Sequence, residues 1–168
     1  MPNTFTLIAS STVGSGGAAT IDFSSIPSTY TDLVLKISGR LNYAATAVGL
    51  QFSFNGQAAG TSITGKTIQG AGSGTPASYS AWQPNIDAAS ATANTFASVD
   101  IYIPNYTSSN NKSASSDSVQ EDNATTAYAE MHAALWSNTS AINRITITPN
   151  SGSFVQYSTA YLYGIVSS

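Results

Sequence analysis

Thr31-Asp32-Leu33-Val34-Leu35-Lys36-Ile37 decides the fold class. In an extended chain Leu33, Leu35 and Ile37 share one face, and Asp32 and Lys36 share the other. That is the period-two signature of a half-buried strand. The alternation recurs in both directions along the chain. Val48-Gly49-Leu50-Gln51-Phe52-Ser53-Phe54 aligns Leu50, Phe52 and Phe54, then meets Asn55-Gly56. Both of those residues tolerate positive φ, which makes the pair a strong hairpin-turn signal. Phe96 to Ile103 places Val99, Ile101 and Ile103 inward and Ser98, Asp100 and Tyr102 outward. Pro104 ends that ladder because it has no N–H to donate. Thr4 to Ala9 and Thr20 to Phe23 flank a Gly14-Ser15-Gly16-Gly17 turn, and Asn143 to Thr148 stops at Pro149. In Phe154 to Val166, Tyr161, Tyr163 and Ile165 share one face, and Leu162 and Val166 the other. A strand apolar on both faces is expected to be covered on both, by a second sheet or a partner chain.

One segment admits two periods. Ala124, Ala127, Tyr128, Met131 and Leu135 fit helical spacing with Asn123 as the N-cap, whereas Met131, Ala133 and Leu135 fit a strand face. The turn signal at Asn138 to Ser140 follows so closely that a strand is expected. Gly60 to Ser80 and Asn105 to Asn123 read as polar loops. The sum is about eight short strands and no secure helix. The expected architecture is all-β: a two-sheet antiparallel β-sandwich, jelly-roll-like, forming one domain over residues 1–168, with a single barrel as the rival.

Composition narrows the partners. Of 168 residues 8% are charged, against about 25% in an average domain. Serine and threonine take their place, at 27 and 20 residues. Five Lys and Arg cannot form a phosphate-tracking stripe, so nucleic acid is not an expected partner. No apolar run approaches the roughly 18–20 residues that span a bilayer, so no membrane is expected either. The absence of Cys excludes a disulfide framework and thiolate metal sites. The first ten residues lack a basic start and a continuous apolar stretch, so no secretory signal is read there. Aromatic content of 10% with a net charge of only -3 argues for a folded chain.

The chemical motifs are weak. Gly60-Thr61-Ser62-Ile63-Thr64-Gly65-Lys66-Thr67 fits the phosphate-binding G-x-x-x-x-G-K-[ST] pattern. The glycines and proline that follow, through Pro76, would not form the helix whose N–H groups such a loop needs. His132 is the sole candidate imidazole base, and no G-x-S-x-G elbow accompanies it, so it is read as a strand residue facing solvent or a neighbour. Asp117, Glu121 and Asp122 could offer hard oxygens to calcium, but not at EF-hand spacing, and a solvated acidic loop is the default. Four N-x-[ST] sequons, at Asn105, Asn111, Asn123 and Asn138, match the number expected by chance in so Ser/Thr-rich a chain. Trp136 is expected in the core. Trp82 and Tyr79, in loop-like sequence, are candidate sugar-stacking residues.

Three stretches carry a resemblance: the opening "TLIASSTVGSGGAATIDFSSIPSTYTDLVLKISGR" within Met1 to Arg40, "ANTFASVDIYIPNY" at Ala93 to Tyr106, and "GSFVQYSTAYLYGI" at Gly152 to Ile165. These resemble small structural proteins of tailed bacteriophages, particularly of aquatic hosts. Their motifs are structural and carry no catalytic signature, so the resemblance implies a virion protein; no enzymatic activity, cofactor or metal is expected. Such proteins are similar to capsid decoration proteins on one side and to tail-fibre tip domains on the other. The first strand begins at Thr4, and no heptads or repeats suggest a fibre shaft, so capsid decoration is the favoured expectation. The implied partners are the major capsid protein and further copies of the chain, as a homotrimer. The location is the capsid surface after assembly in the host cytoplasm. Tyr157, Tyr161 and Tyr163 are the expected contact residues, because aromatic side chains dominate interface energies. The alternative is a tail-tip domain binding host glycans through Tyr79 and Trp82; a glycan hydrolase ranks last. With so few charges, attachment is expected to depend weakly on salt.

Overall fold

A computed structural model describes residues 4–58, 62–71, 77–123 and 127–166. Twelve strands run through them, with no helix among the described residues: β1 Phe5–Thr12, β2 Ile21–Phe23, β3 Asp32–Gly39, β4 Ala47–Phe54, β5 Ile63–Ala71, β6 Ala77–Tyr79, β7 Asn85–Asp87, β8 Ala97–Ile103, β9 Lys112–Gln120, β10 Tyr128–Trp136, β11 Ile145–Pro149 and β12 Thr159–Ile165. They form an eight-stranded sheet, β1-β12-β3-β8-β9-β10-β5-β6, and a four-stranded sheet, β2-β11-β4-β7. Every strand pairing is antiparallel.

The order has a simple origin. Setting β5, β6, β9 and β10 aside leaves β1-β12-β3-β8 facing β2-β11-β4-β7. Successive strands alternate between the two sheets at first, and the last strands return beside the earliest. That is the double Greek key of a jelly roll, formed by eight of the twelve strands, where about eight were expected in all. The four further strands come from two excursions, residues 63–79 and 112–136, which extend only the larger sheet. Two expectations fail here. Gly60 to Ser80 contains β5 and β6, and Asn105 to Asn123 contains β9. Gly, Ser and Thr in these stretches mask a strand period that edge-to-edge pairing supplies.

The jelly-roll half is packed as the alternation predicts. Leu33, Leu35 and Ile37 from β3 and Val99, Ile101 and Ile103 from β8 meet Leu50, Phe52 and Phe54 from β4 in one core. Ile145 and Ile147 of β11 join them, and Trp136 packs edge-on to Phe54 at 5.3 Å between centroids. On β12, Leu162 points inward and Tyr161, Tyr163 and Ile165 outward; Val166 lies beyond the strand end, exposed. Tyr30 lies across Gly164, where an added Cβ would stand 2.2 Å from its Cγ. Gly164→Ala is therefore expected to cost about 1–3 kcal/mol by overpacking. In a Tyr30→Ala background that cost should vanish, which a denaturant-melt double-mutant cycle would reveal.

The Asn55-Gly56 signal is half right. Both residues have positive φ, 54° and 73°, and Gln57 N–H bonds Phe54 O at 3.0 Å, so the turn forms. It does not close a hairpin, because β4 pairs with β11 and β7 while β5 belongs to the other sheet. The Asn55 side chain instead fixes the approach to β11. Its Oδ1 accepts from Asn143 N–H at 2.8 Å, and its Nδ2 donates to Ala141 O at 2.8 Å.

Candidate functional site

The added strands β9, β10 and β5 invert the usual pattern. Their inward face carries Ser116, Ser118 and Gln120 from β9, Glu130 and His132 from β10, and Thr67 from β5, all buried. Their outward face carries Val119, Met131, Leu135 and Ile68, all exposed, Met131 at 70%. Met131 lies directly opposite Ile68 in the ladder, and Ala129 opposite Val119. The strand face formed by Met131, Ala133 and Leu135 exists as expected, but it faces away from the core.

The inward polar face is closed by the segment 79–87, and around Glu130 its groups satisfy one another. Glu130 Oε1 accepts from Gln69 Nε2 at 2.5 Å, Asn85 Nδ2 at 2.6 Å and the Tyr79 hydroxyl at 3.1 Å. Its Oε2 accepts from Asn85 N–H at 2.9 Å and the Ser118 hydroxyl at 2.8 Å. Burial alone would raise the Glu130 carboxyl, but the hydrogen bonds from His132, Asn85, Ser118 and Gln69 outweigh it and hold it at about 2. Tyr79 moves the other way: burial first, and then the Glu130 charge, push its hydroxyl up to about 12.

His132 is buried, not solvent-facing. Its Nδ1 lies 2.8 Å from Thr67 Oγ1, whose own proton goes to Ala81 O. Its Nε2 lies 3.4 Å from Ser118 Oγ and 3.5 Å from Glu130 Oε2. These contacts clamp the ring between Thr67 of β5 and Ser118 of β9, beside Glu130 of its own strand. No atom of Glu130 or His132 side chains is open to solvent. A substrate cannot reach them in this structure, and the cluster reads as a structural clasp.

The other expected site residues separate. Tyr161 and Tyr163 stack at 6.5 Å on the outer face of β12, and Phe5 of the edge strand β1 meets Tyr163 edge-on at 6.4 Å. Tyr157 stands apart in the turn before β12, exposed, with φ at 72°. Trp82 lies in the connection between β6 and β7, as expected, but is not open to sugar. It is buried, stacked on Phe52 at 4.7 Å, and its indole N–H donates to Ser116 Oγ at 2.8 Å. It forms only the floor of a cleft of about 310 Å³ lined by Gln51, Thr64, Ser80 and Gln83. Tyr79 spends its hydroxyl on Glu130. The acidic trio is divided: Asp117 points outward opposite Asp100, Glu121 is exposed and Asp122 is buried. Gly65, Lys66 and Thr67 lie within strand β5, so they form no phosphate loop; Gly60 and Thr61 fall outside the described residues.

The outward apolar face and the inward clasp are what sequence reasoning missed. The one available signal was the spacing of Glu130 and His132, which alternate with Met131 and thereby require one polar face and one apolar face.

No family model matches the chain, and no curated protein matches it. One similar solved structure is titled Scytalido-glutamic peptidase with a peptide-based transition state analog. The match covers 88% of this chain at 15% identity with a TM-score of 0.24, and this chain spans 63% of that one. An overlay at that score carries no argument about fold or chemistry.

Proposed function

We propose that this protein is a non-enzymatic structural component of a tailed-phage virion that docks on the assembled shell and stabilises it. The observation that supports the reading is the inverted extension. Ile68, Val119, Met131 and Leu135 stand exposed on neighbouring strands while polar groups occupy the inside. A soluble monomer seldom leaves such a face bare, and apolar patches of this kind mark interaction surfaces. The Tyr161–Tyr163–Phe5 group supplies a second aromatic contact on the same side of the large sheet. A protein that binds the closed shell but not loose subunits stabilises it by mass action. Partners on this reading are the major capsid protein and further copies of the chain, as a trimer, on the capsid surface.

The test is a binding assay on shells stripped of this protein. Wild type should bind, should raise the temperature of shell disruption, and should stay bound at about 0.5 M salt. The double variant Ile68→Lys/Met131→Lys should keep its melting temperature, since surface changes usually cost within about 0.5 kcal/mol, yet bind at least ~10-fold more weakly. Unchanged binding by that variant would remove the inverted face from the reading. The cleft beside Trp82 favours a second reading, a tail-tip domain binding host glycans through Gln51, Thr64, Ser80 and Gln83. Capture of the isolated protein by host cells, with no binding to shells, would select it.

A further inference from the structure

Beyond the clasp the polar seam continues to a place where its chemistry does not close. Asp87, 0% exposed, has no hydrogen-bond partner for either carboxylate oxygen among the described residues. Gln120, 1% exposed, has none for either amide atom. The registers place them at matching positions of β7 and β9. Trp82 bonds Ser116, and Asn85 bonds Glu130, which pairs with Ser118. The segment 82–87 therefore advances alongside β9, and the next inward residues are Asp87 and Gln120. β7 and β9 are in contact across the gap between the sheets. Asp87 also bridges Arg40 through the main chain, which fixes it at the same end of the sheet. Asp122, buried as well, lies two residues past Gln120.

Water could bridge the amide, but water cannot neutralise a buried charge. Among the described residues no side chain does so either. The chain has five Lys and Arg residues. Lys36 pairs with Asp100, Arg144 with Asp22, Lys66 with the Ser80 hydroxyl, and Lys112 with the carbonyls of Ser108 and Asn110. Arg40, nearest along the backbone, gives its guanidinium to the carbonyls of Ala91, Thr92 and Thr95. His132 faces Thr67, Ser118 and Glu130.

We infer that Asp87, Gln120 and Asp122 hold a hard divalent cation, calcium in preference to magnesium, between the two sheets. Carboxylate and amide oxygens with neighbouring carbonyls suit the six to eight oxygen ligands and loose geometry of calcium better than the strict octahedron of magnesium. The site would tie β7 of the small sheet to the end of β9. This inference does not depend on the virion reading.

The full-length protein is melted in EDTA and in calcium chloride, and separately in magnesium chloride. Calcium at about a hundred times its dissociation constant should raise the melting temperature by about 5–10 °C over EDTA, and magnesium by less. Asp87→Asn should melt at the same temperature in both buffers. Terbium luminescence excited through tryptophan should appear with wild type and be displaced by calcium, which tests the site even if Asp87→Asn fails to fold. No calcium-dependent shift up to about 10 mM together with no terbium signal, or an equal shift in Asp87→Asn, would overturn the inference.

Discussion

Glu130→Ala should destabilise the protein by about 4 kcal/mol, the scale for leaving several buried donors without their carboxylate. The cost arises from what remains. Gln69, Asn85, Ser118 and Tyr79 would keep donors aimed at a missing carboxylate, inside the sandwich. His132 would lose the carboxylate beside its Nε2. Against a typical total of 5–15 kcal/mol this is a large fraction, and the melting temperature should fall by about 10–15 °C. A loss under about 2 °C would show that the clasp contributes little.

The same residue sets an acid limit. Its folded value is depressed to about 2 from an ordinary 4.5. In that interval the unfolded chain takes up the proton before the folded one does, so acidification favours unfolding. The stabilisation is whole above about pH 4.5, fades as the pH falls, and is gone below about 2. Its size is about 3 kcal/mol. Glu130→Gln should remove this pH dependence, so the difference in stability between wild type and variant should shrink steadily from pH 5 to pH 2.

Trp82→Ala should cost about 3–5 kcal/mol, as deletion of a buried aromatic does. The ring stacks on Phe52, tilts against Phe54 at 6.1 Å, and holds Ser116 through its N–H. Gly65 is shaped around it: a Cβ there would stand 2.6 Å from Trp82 Cβ. Trp82→Phe should keep most of the packing and lose about 1–2 kcal/mol for the orphaned Ser116 hydroxyl. Urea melts of the two variants separate the ring from its hydrogen bond. A Trp82→Ala protein of near wild-type stability that had lost glycan binding would restore Trp82 as a sugar platform.

The jelly-roll half was legible because its strands differ sharply between faces. Leu33, Leu35 and Ile37 against Asp32 and Lys36 leave one sensible orientation, and the structure adopts it. Strand β9, Lys-Ser-Ala-Ser-Ser-Asp-Ser-Val-Gln, offers no such contrast, since hydroxyls occupy both faces. Its identity as a strand comes from pairing with its chain neighbours β8 and β10, which its own side-chain pattern does not announce.

What the sequence determined by itself was the class and the central sandwich, because period-two burial is a local property of the chain. The tertiary structure alone decided the direction of β5, β9 and β10. Alternation defines two faces and does not say which is inside when the polar one can be closed by hydrogen bonds from another segment. Residues 79–87 supply that closure around Glu130 and His132, so the polar face is buried at a tolerable cost and Met131 and Ile68 are left outside.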